Sequence, residues 1–365
     1  MSAAMERLLI RSLRCLAPET AHSLVIGGLE HGLYVSRPSR PDARLNIRAF
    51  GLTFPNPVGV AAGFDKDARA FRAVLAKGAG FAEVGTLTPR PQAGNPKPRI
   101  FRLAADRAVI NRLGFNNGGH AGALPRLSGP LPGIVGVNIG ANKDSADRAD
   151  DYAQGVAAFA PLASYLMVNI SSPNTPGLRS LQAPAELDGL ITRVLEARER
   201  TVRAGIARCP IVVKLAPDLA DEDLPGIISV LMHHNVDGIA ISNTTLSRDG
   251  LTDRRHRSEA GGLSGQPLFR RSTRMLARVH LLTEGRVPLI GIGGIDGPER
   301  ALDKIRAGAT LLQLYTGLVY GGFGLISRIN KGLSAELDRL RLPELRPIIG
   351  TAAKAWSEAA IGQDS

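Results

Sequence analysis

Leu289-Ile290-Gly291-Ile292-Gly293-Gly294-Ile295-Asp296 is an apolar run that opens into paired glycines, and its reading separates two α/β architectures. A dinucleotide fold carries G-x-G-x-x-G after its first strand, whereas here the sixth position is Asp296 and the run lies late in the chain. The same run suits the seventh strand of a barrel, where small residues after strands seven and eight let backbone N–H groups approach an anion. Working outward from it, eight short β-rich runs alternate with helical stretches: Pro57 to Ala62, Phe81 to Leu87, Ile134 to Ile139, Tyr165 to Ile170, Ile211 to Leu215, Gly238 to Ser242, Pro288 to Ile292 and Leu311 to Tyr315. Eight βα units predict an α/β fold of the TIM (β/α)8 barrel type. Leu45 to Phe54 and Arg99 to Ile110 read as small antiparallel additions to it.

Upstream of the barrel, Leu8, Leu9, Leu13 and Leu16 share a helical face, and Leu24, Val25, Leu29 and Leu33 form a second periodic stretch after Pro18. A small N-terminal two-helix extension over residues 1–40 is expected, with Pro38 and Pro41 marking the linker to a barrel domain over residues 45–338. Residues 339–365, with Pro343, Pro347 and little periodicity, form a tail that either packs as an appendage or stays mobile.

The 365 residues, 44% of them hydrophobic, suffice for one large core. Cys15 and Cys209 lack CxxC spacing, which speaks against a disulfide framework or a zinc knuckle, and the seven scattered histidines form no ligand cluster. No metal is expected. A net charge of +12 suits an anionic partner. The basic clusters at residues 253–257 and 270–271 lack interleaved aromatics, so no nucleic-acid partner is expected. Arg7, Arg11 and Arg14 break the first apolar stretch, and no run reaches the roughly 18 residues of a spanning helix.

Barrel chemistry gathers where the strands finish, because the βα loops converge on one mouth. There the sequence places Ala61-Ala62-Gly63-Phe64-Asp65-Lys66, Thr86, Asn138, Asn169 with Ser172 and Asn174, Lys214, Ser242-Asn243-Thr244, Gly293-Gly294 and Tyr315-Thr316. Gly293, Gly294, Tyr315 and Thr316 are read as a phosphate site. Asn111, Asn169, Asn174 and Asn243 offer paired donors and acceptors suited to a cyclic amide or imide, although any one of them also suits a turn or cap. Lys66 and Lys214 end apolar strands, where an unpaired ammonium is costly. A carboxylate ligand and a ring that becomes negative on reduction are suitable partners, and Asp65, Asp67 or Asp218 are structural alternatives.

The ordered motifs AAGFDKD, GTLTPRPQ, NRLGFNN, VNIGANK, VNISSPNTPGLR, VKLAPDL, ISNTT, GGLSGQPL, IGIGGID and LYTG closely resemble the dihydroorotate dehydrogenases over about residues 45 to 330. Serine at position 172, where the soluble class has cysteine, and the N-terminal helices resemble the quinone-dependent class. The resemblance implies oxidation of dihydroorotate to orotate in pyrimidine biosynthesis with FMN as cofactor, Ser172 as catalytic base and a membrane quinone as electron acceptor.

It further implies FMN contacts from Ala61, Ala62, Gly63, Lys66, Thr86, Asn138, Asn169, Lys214, Ser242, Gly265, Gly294, Tyr315 and Thr316. Substrate contacts would come from Lys66, Asn111, Arg112, Leu113, Gly114, Phe115, Asn169, Asn174, Asn243 and Thr244, with a proton relay from Ser172 through Thr175 and water near Phe115. His22, Arg102 and Tyr315 fall on the quinone side. The implied protein is a monomer, peripheral on the cytoplasmic face of an inner membrane. Ser242 and Phe64 depart from the family's usual threonine and leucine. Dihydrouridine synthases also pair FMN with a basic surface, but they use a catalytic cysteine, and neither Cys15 nor Cys209 sits in a matching loop. A non-enzymatic membrane- or nucleic-acid-binding module leaves the mouth asparagines and lysines unexplained.

Overall fold

The computed structural model describes residues 3–33 and 40–361; Pro38 of the expected linker and the last four residues of the tail lie outside them. Eight parallel strands close a barrel: β1 (Val58–Asp65), β2 (Phe81–Leu87), β3 (Ile134–Ile139), β4 (Tyr165–Asn169), β5 (Ile211–Leu215), β6 (Gly238–Ile241), β7 (Leu289–Ile292) and β8 (Leu311–Leu314). Each strand pairs with its neighbours in sequence, and β8 returns to β1 through Leu312 opposite Val58. All eight expected strands are present, three with the expected bounds and five with an end shifted by one to three residues. Their near-continuous burial follows from helices covering the outside of the sheet while side chains fill the inside.

The short hairpin Ile47–Ala49 and Leu52–Phe54 closes the barrel floor. Phe54 meets Phe81 edge-on at 5.2 Å, and Phe50 lies 5.9 Å from the Tyr165 ring. Phe81, Tyr165 and Gly238 begin their strands, and a Cβ at Gly238 would come within 2.2 Å of the Phe50 ring. The floor is thus an aromatic plug, and access is left to the opposite mouth.

At that mouth stands a three-stranded antiparallel sheet, Ile100–Leu103, Ala108–Asn111 and Gly262–Gly265. The sequence reading anticipated the first two strands and missed the third, whose Gly-Leu-Ser-Gly composition carries little β signal.

The helix α1 (Ala3–Arg14) and the helix α2 (Pro18–Glu30) lie beside this sheet. Ala21, Ile26 and Leu29 of α2 are buried, and Arg99 Nε and Nη2 donate to Glu19 Oε1 at 3.0 and 2.9 Å. The expected apolar face of the second helix is therefore corrected. Leu24 is exposed, and Leu33 is exposed beyond the helix end, because the buried face follows Ala21 and Ile26. The tail is an appendage as far as it is described. A helix Ala353–Glu358 sets Trp356 edge-on to Phe269 at 5.8 Å, and Arg274 Nε donates to Ser357 O.

Candidate active site

The strand ends enclose a cavity above a buried polar layer. Glu83, on β2, is almost fully buried and accepts from Asn138 Nδ2 (2.8 Å), Tyr165 OH (2.8 Å) and Gln313 Nε2 (2.6 Å). Three donors from three other strands satisfy a carboxylate that could not stand alone in the interior. Above it, Thr86 Oγ1 donates to Asn138 Oδ1 at 2.6 Å, and Asn169 Nδ2 donates to Thr86 Oγ1 (3.0 Å) and Asn138 Oδ1 (3.1 Å). Asn243 Nδ2 donates in turn to Ser171 Oγ (3.0 Å) and Asn169 Oδ1 (3.3 Å). This chain of amides fixes which edge each asparagine presents.

Of the residues expected to contact ligand, Ala61, Ala62, Gly63, Lys66, Thr86, Asn111, Leu113, Gly114, Phe115, Asn169, Ser172, Asn174, Lys214, Ser242, Asn243, Thr244, Gly265, Gly294, Tyr315 and Thr316 all line this cavity. Two do not. Asn138 lies below it in the polar layer, fully buried. The Arg112 side chain turns outward, pairing with Glu259 at 2.8 Å and stacking 4.5 Å from the Phe101 ring centre. Asn116 and Gln313 line the cavity without having been anticipated. Gln313, and Glu83 beneath it, did leave a signal: each is a polar residue inside an apolar strand.

Ser172 is buried, and its Oγ accepts the Asn174 N–H at 3.2 Å. The expected link to Thr175 is absent as a direct hydrogen bond among the described residues; Thr175 is buried and its carbonyl caps Leu178. Lys66 Nζ donates to Gly63 O at 2.9 Å and approaches His22 Nε2 at 3.5 Å. Neither Asp65 nor Asp67 pairs with it: Asp65 accepts from the N–H groups of Arg69 and Ala70, and Asp67 from Gly118 N–H. Asp218 is taken by Arg179 at 2.9 Å. Burial pushes the Lys66 ammonium down to about 8, against the pull of Asp67 and Glu19. Burial also lowers Lys214, with Glu83 opposing, and no described residue hydrogen-bonds its ammonium.

A second, mainly apolar cavity lies between α1, α2 and the barrel, lined by Ile10, Leu13, Val25, Phe64, Leu318 and Phe323 among others. His22, Arg102 and Tyr315 all border it, and Tyr315 borders the first cavity too. Arg102 Nη1 donates to Arg14 O (3.0 Å) and Leu16 O (2.7 Å), which holds the α1–α2 connection over this space.

His22, packed edge-on to Phe64 at 5.6 Å, is held down to about 3 by burial first and by the Lys66 ammonium second. The unfolded chain therefore takes this proton before the folded chain does, and His22 erodes stability as pH falls from 6.5 toward about 3. An NMR pH titration should find the His22 ring neutral down to about pH 4, one unit above its folded value. An ordinary transition near 6.5 would contradict this packing.

Known proteins agree with this architecture. A sequence model of the dihydroorotate dehydrogenase family matches residues 44–337. A protein of Sinorhizobium fredii called dihydroorotate dehydrogenase (quinone) is 51% identical over 98% of this chain and 99% of its own length. A Bradyrhizobium protein of the same name is 53% identical over 97% of both chains. Among solved structures, a DHODH of Eimeria tenella in complex with ferulenol superposes with a TM-score of 0.86 at 39% identity, covering 92% of this chain and 95% of that one. With the match spanning the whole barrel, and near full-length identity above one half, the chain belongs to the dihydroorotate dehydrogenase family of oxidoreductases.

Proposed function

We propose that this chain oxidises dihydroorotate to orotate, with FMN in the barrel mouth and a membrane quinone as the final electron acceptor. The observation that carries the reading is the meeting of Ser172, Lys66, Lys214 and the asparagine amides in one cavity that shares Tyr315 with an apolar one. The mouth fits a flavin nucleotide. Among the described residues Lys214 lacks a hydrogen-bond partner, Thr244 Oγ1 is buried without one, and Gly294 N–H donates to none. Gly63 adopts φ +91°, and a Cβ there would meet nothing within 4 Å, so its face opens on free space. Ala62, Gly63, Thr86, Asn169, Lys214, Ser242, Gly265, Gly294, Tyr315 and Thr316 would hold the cofactor. The chemistry such a cofactor would supply is a hydride acceptor for the substrate and an electron source for the quinone.

The chain's own residues supply the rest. Dihydroorotate loses a proton from C5 and a hydride from C6. Ser172 Oγ takes the C5 proton as its own hydroxyl proton passes to a relay of water near Phe115, and the Asn174 N–H donates to that oxygen and fixes its place. Lys66, half-buried and without a carboxylate partner among the described residues, matches the substrate carboxylate, which would replace the hydration the ammonium has lost. Asn111, Asn174 and Asn243 face the alternating N–H and C=O edge of the ring. Lys214 balances charge gained in the cofactor pocket during hydride transfer.

The apolar cavity under α1 and α2 offers the quinone a dry approach to Tyr315. Leu8, Leu16 and Leu24 are exposed on and beside these helices, which suits peripheral contact with a bilayer. No helix among the described residues is long and apolar enough to cross one.

Ser172→Ala should slow flavin reduction by dihydroorotate about 10²–10⁴-fold in anaerobic stopped flow while FMN stays bound. An unchanged rate would remove Ser172 from the base role. Deleting residues 1–40 should spare that half-reaction and abolish quinone turnover; efficient quinone reduction by the shortened chain would contradict the role given to the second cavity.

A further inference from the structure

Behind the turn that follows β7 lies a lysine that the chemistry above does not use. Lys304, on the helix Pro298–Arg306, has none of its surface exposed and no carboxylate partner among the described residues. Its Nζ donates to Ser272 Oγ at 2.6 Å and to Ile292 O at 3.2 Å, 5.4 Å from the centre of the Phe269 ring. Ser272 Oγ, which has Phe269 O as its nearer acceptor at 3.1 Å, also faces Gly293 O at 3.5 Å. One helical turn earlier, Arg300 Nη1 donates to Gly294 O at 3.3 Å. Three successive carbonyls, of Ile292, Gly293 and Gly294, thus point back toward cations or a hydroxyl held by a cation.

The peptide bonds here are trans, so each N–H points opposite to the carbonyl of its own peptide unit. The N–H groups of Gly293, Gly294 and Ile295 are therefore turned away from the two helices and toward the cavity that these residues line. Successive N–H groups aimed at one point make an anion-binding nest. The packing leaves no slack: a Cβ at Gly294 would come within 2.5 Å of Phe269 Cβ, and one at Gly293 within 2.9 Å of Ser272 Oγ.

We propose that Lys304 is a positioning residue for the cofactor's phosphate, setting the 293–295 peptides with their N–H groups facing the cavity and placing a buried positive charge behind them. This rests on the reading of the mouth as the FMN site. A buried ammonium without a protein counter-ion is costly, and burial drives its proton affinity down. A phosphate dianion on the far side of the turn supplies the missing charge. The charge acts through the phosphate alone, so Lys304 should discriminate FMN from riboflavin, which carries the same ring without that group.

The test is fluorescence titration of apo-protein with FMN and with riboflavin, for the wild type, Lys304→Met and Ser272→Ala, with circular dichroism as the check on folding. Lys304→Met should weaken FMN by roughly tenfold or more, the scale of one lost charge–charge interaction at a partly buried site, and leave riboflavin unchanged. Ser272→Ala, which removes the hydroxyl that stands between the Lys304 ammonium and Gly293 O, should shift the ratio of the two affinities in the same direction, and it decides the matter if Lys304→Met does not fold. An FMN-to-riboflavin ratio equal to that of the wild type overturns the inference. A wild type that binds FMN no better than riboflavin overturns the flavin-phosphate reading itself.

Discussion

Two ammonium groups, Lys214 buried and Lys66 half-buried, are withdrawn from water at one end of a barrel whose nearby carboxylates are committed elsewhere. Asp65 and Asp67 are spent on backbone N–H groups and Asp218 on Arg179, leaving Lys66 with a carbonyl and a histidine and Lys214 with only the distant pull of Glu83. A buried cation in that position destabilises the chain unless a ligand completes it. Folding ligand-seeking charge into the interior depends on the layers beneath: the aromatic floor of Phe50 and Phe54, then the Glu83 hub with its three donors. The hub locks Asn138, which locks Asn169, which receives Asn243, so side chains from separate strands meet the cavity in fixed orientations.

The same constraint links the two cavities. Lys66 touches His22 of α2, and Phe64, two residues before it, packs against His22, Tyr315 and Phe323. The end of β1 that leads into Lys66 is therefore also a wall of the apolar passage. The Phe64 ring makes three edge-on contacts that an aliphatic side chain cannot make.

Much of this was legible in the sequence because barrel strands are short, apolar and buried on both faces, while the residues at their ends are conspicuously polar. Lys66, Asn169, Ser172, Lys214 and Asn243 stand out for that reason, and all reach one cavity. Where the reading failed, side-chain direction was the missing quantity. Arg112 sits in the correct loop but is drawn outward by Glu259 and Phe101, partners distant in sequence or on another strand. Asn138 stands next to the last residue of β3 yet points into the polar layer, where its amide donates to Glu83. The strand Gly262–Gly265 has no periodic apolar signal and exists because Ala108–Asn111 offers it a pairing edge. Trp356, in a tail with little periodicity, finds its place against Phe269 and the core behind it.

An anaerobic absorbance spectrum of the purified protein with FMN, taken before and after dihydroorotate and again after a short-chain quinone or fumarate, tests the account most directly. The account predicts a flavin band that dihydroorotate bleaches and that quinone, not fumarate, restores. A protein that shows no flavin band despite added FMN would contradict it.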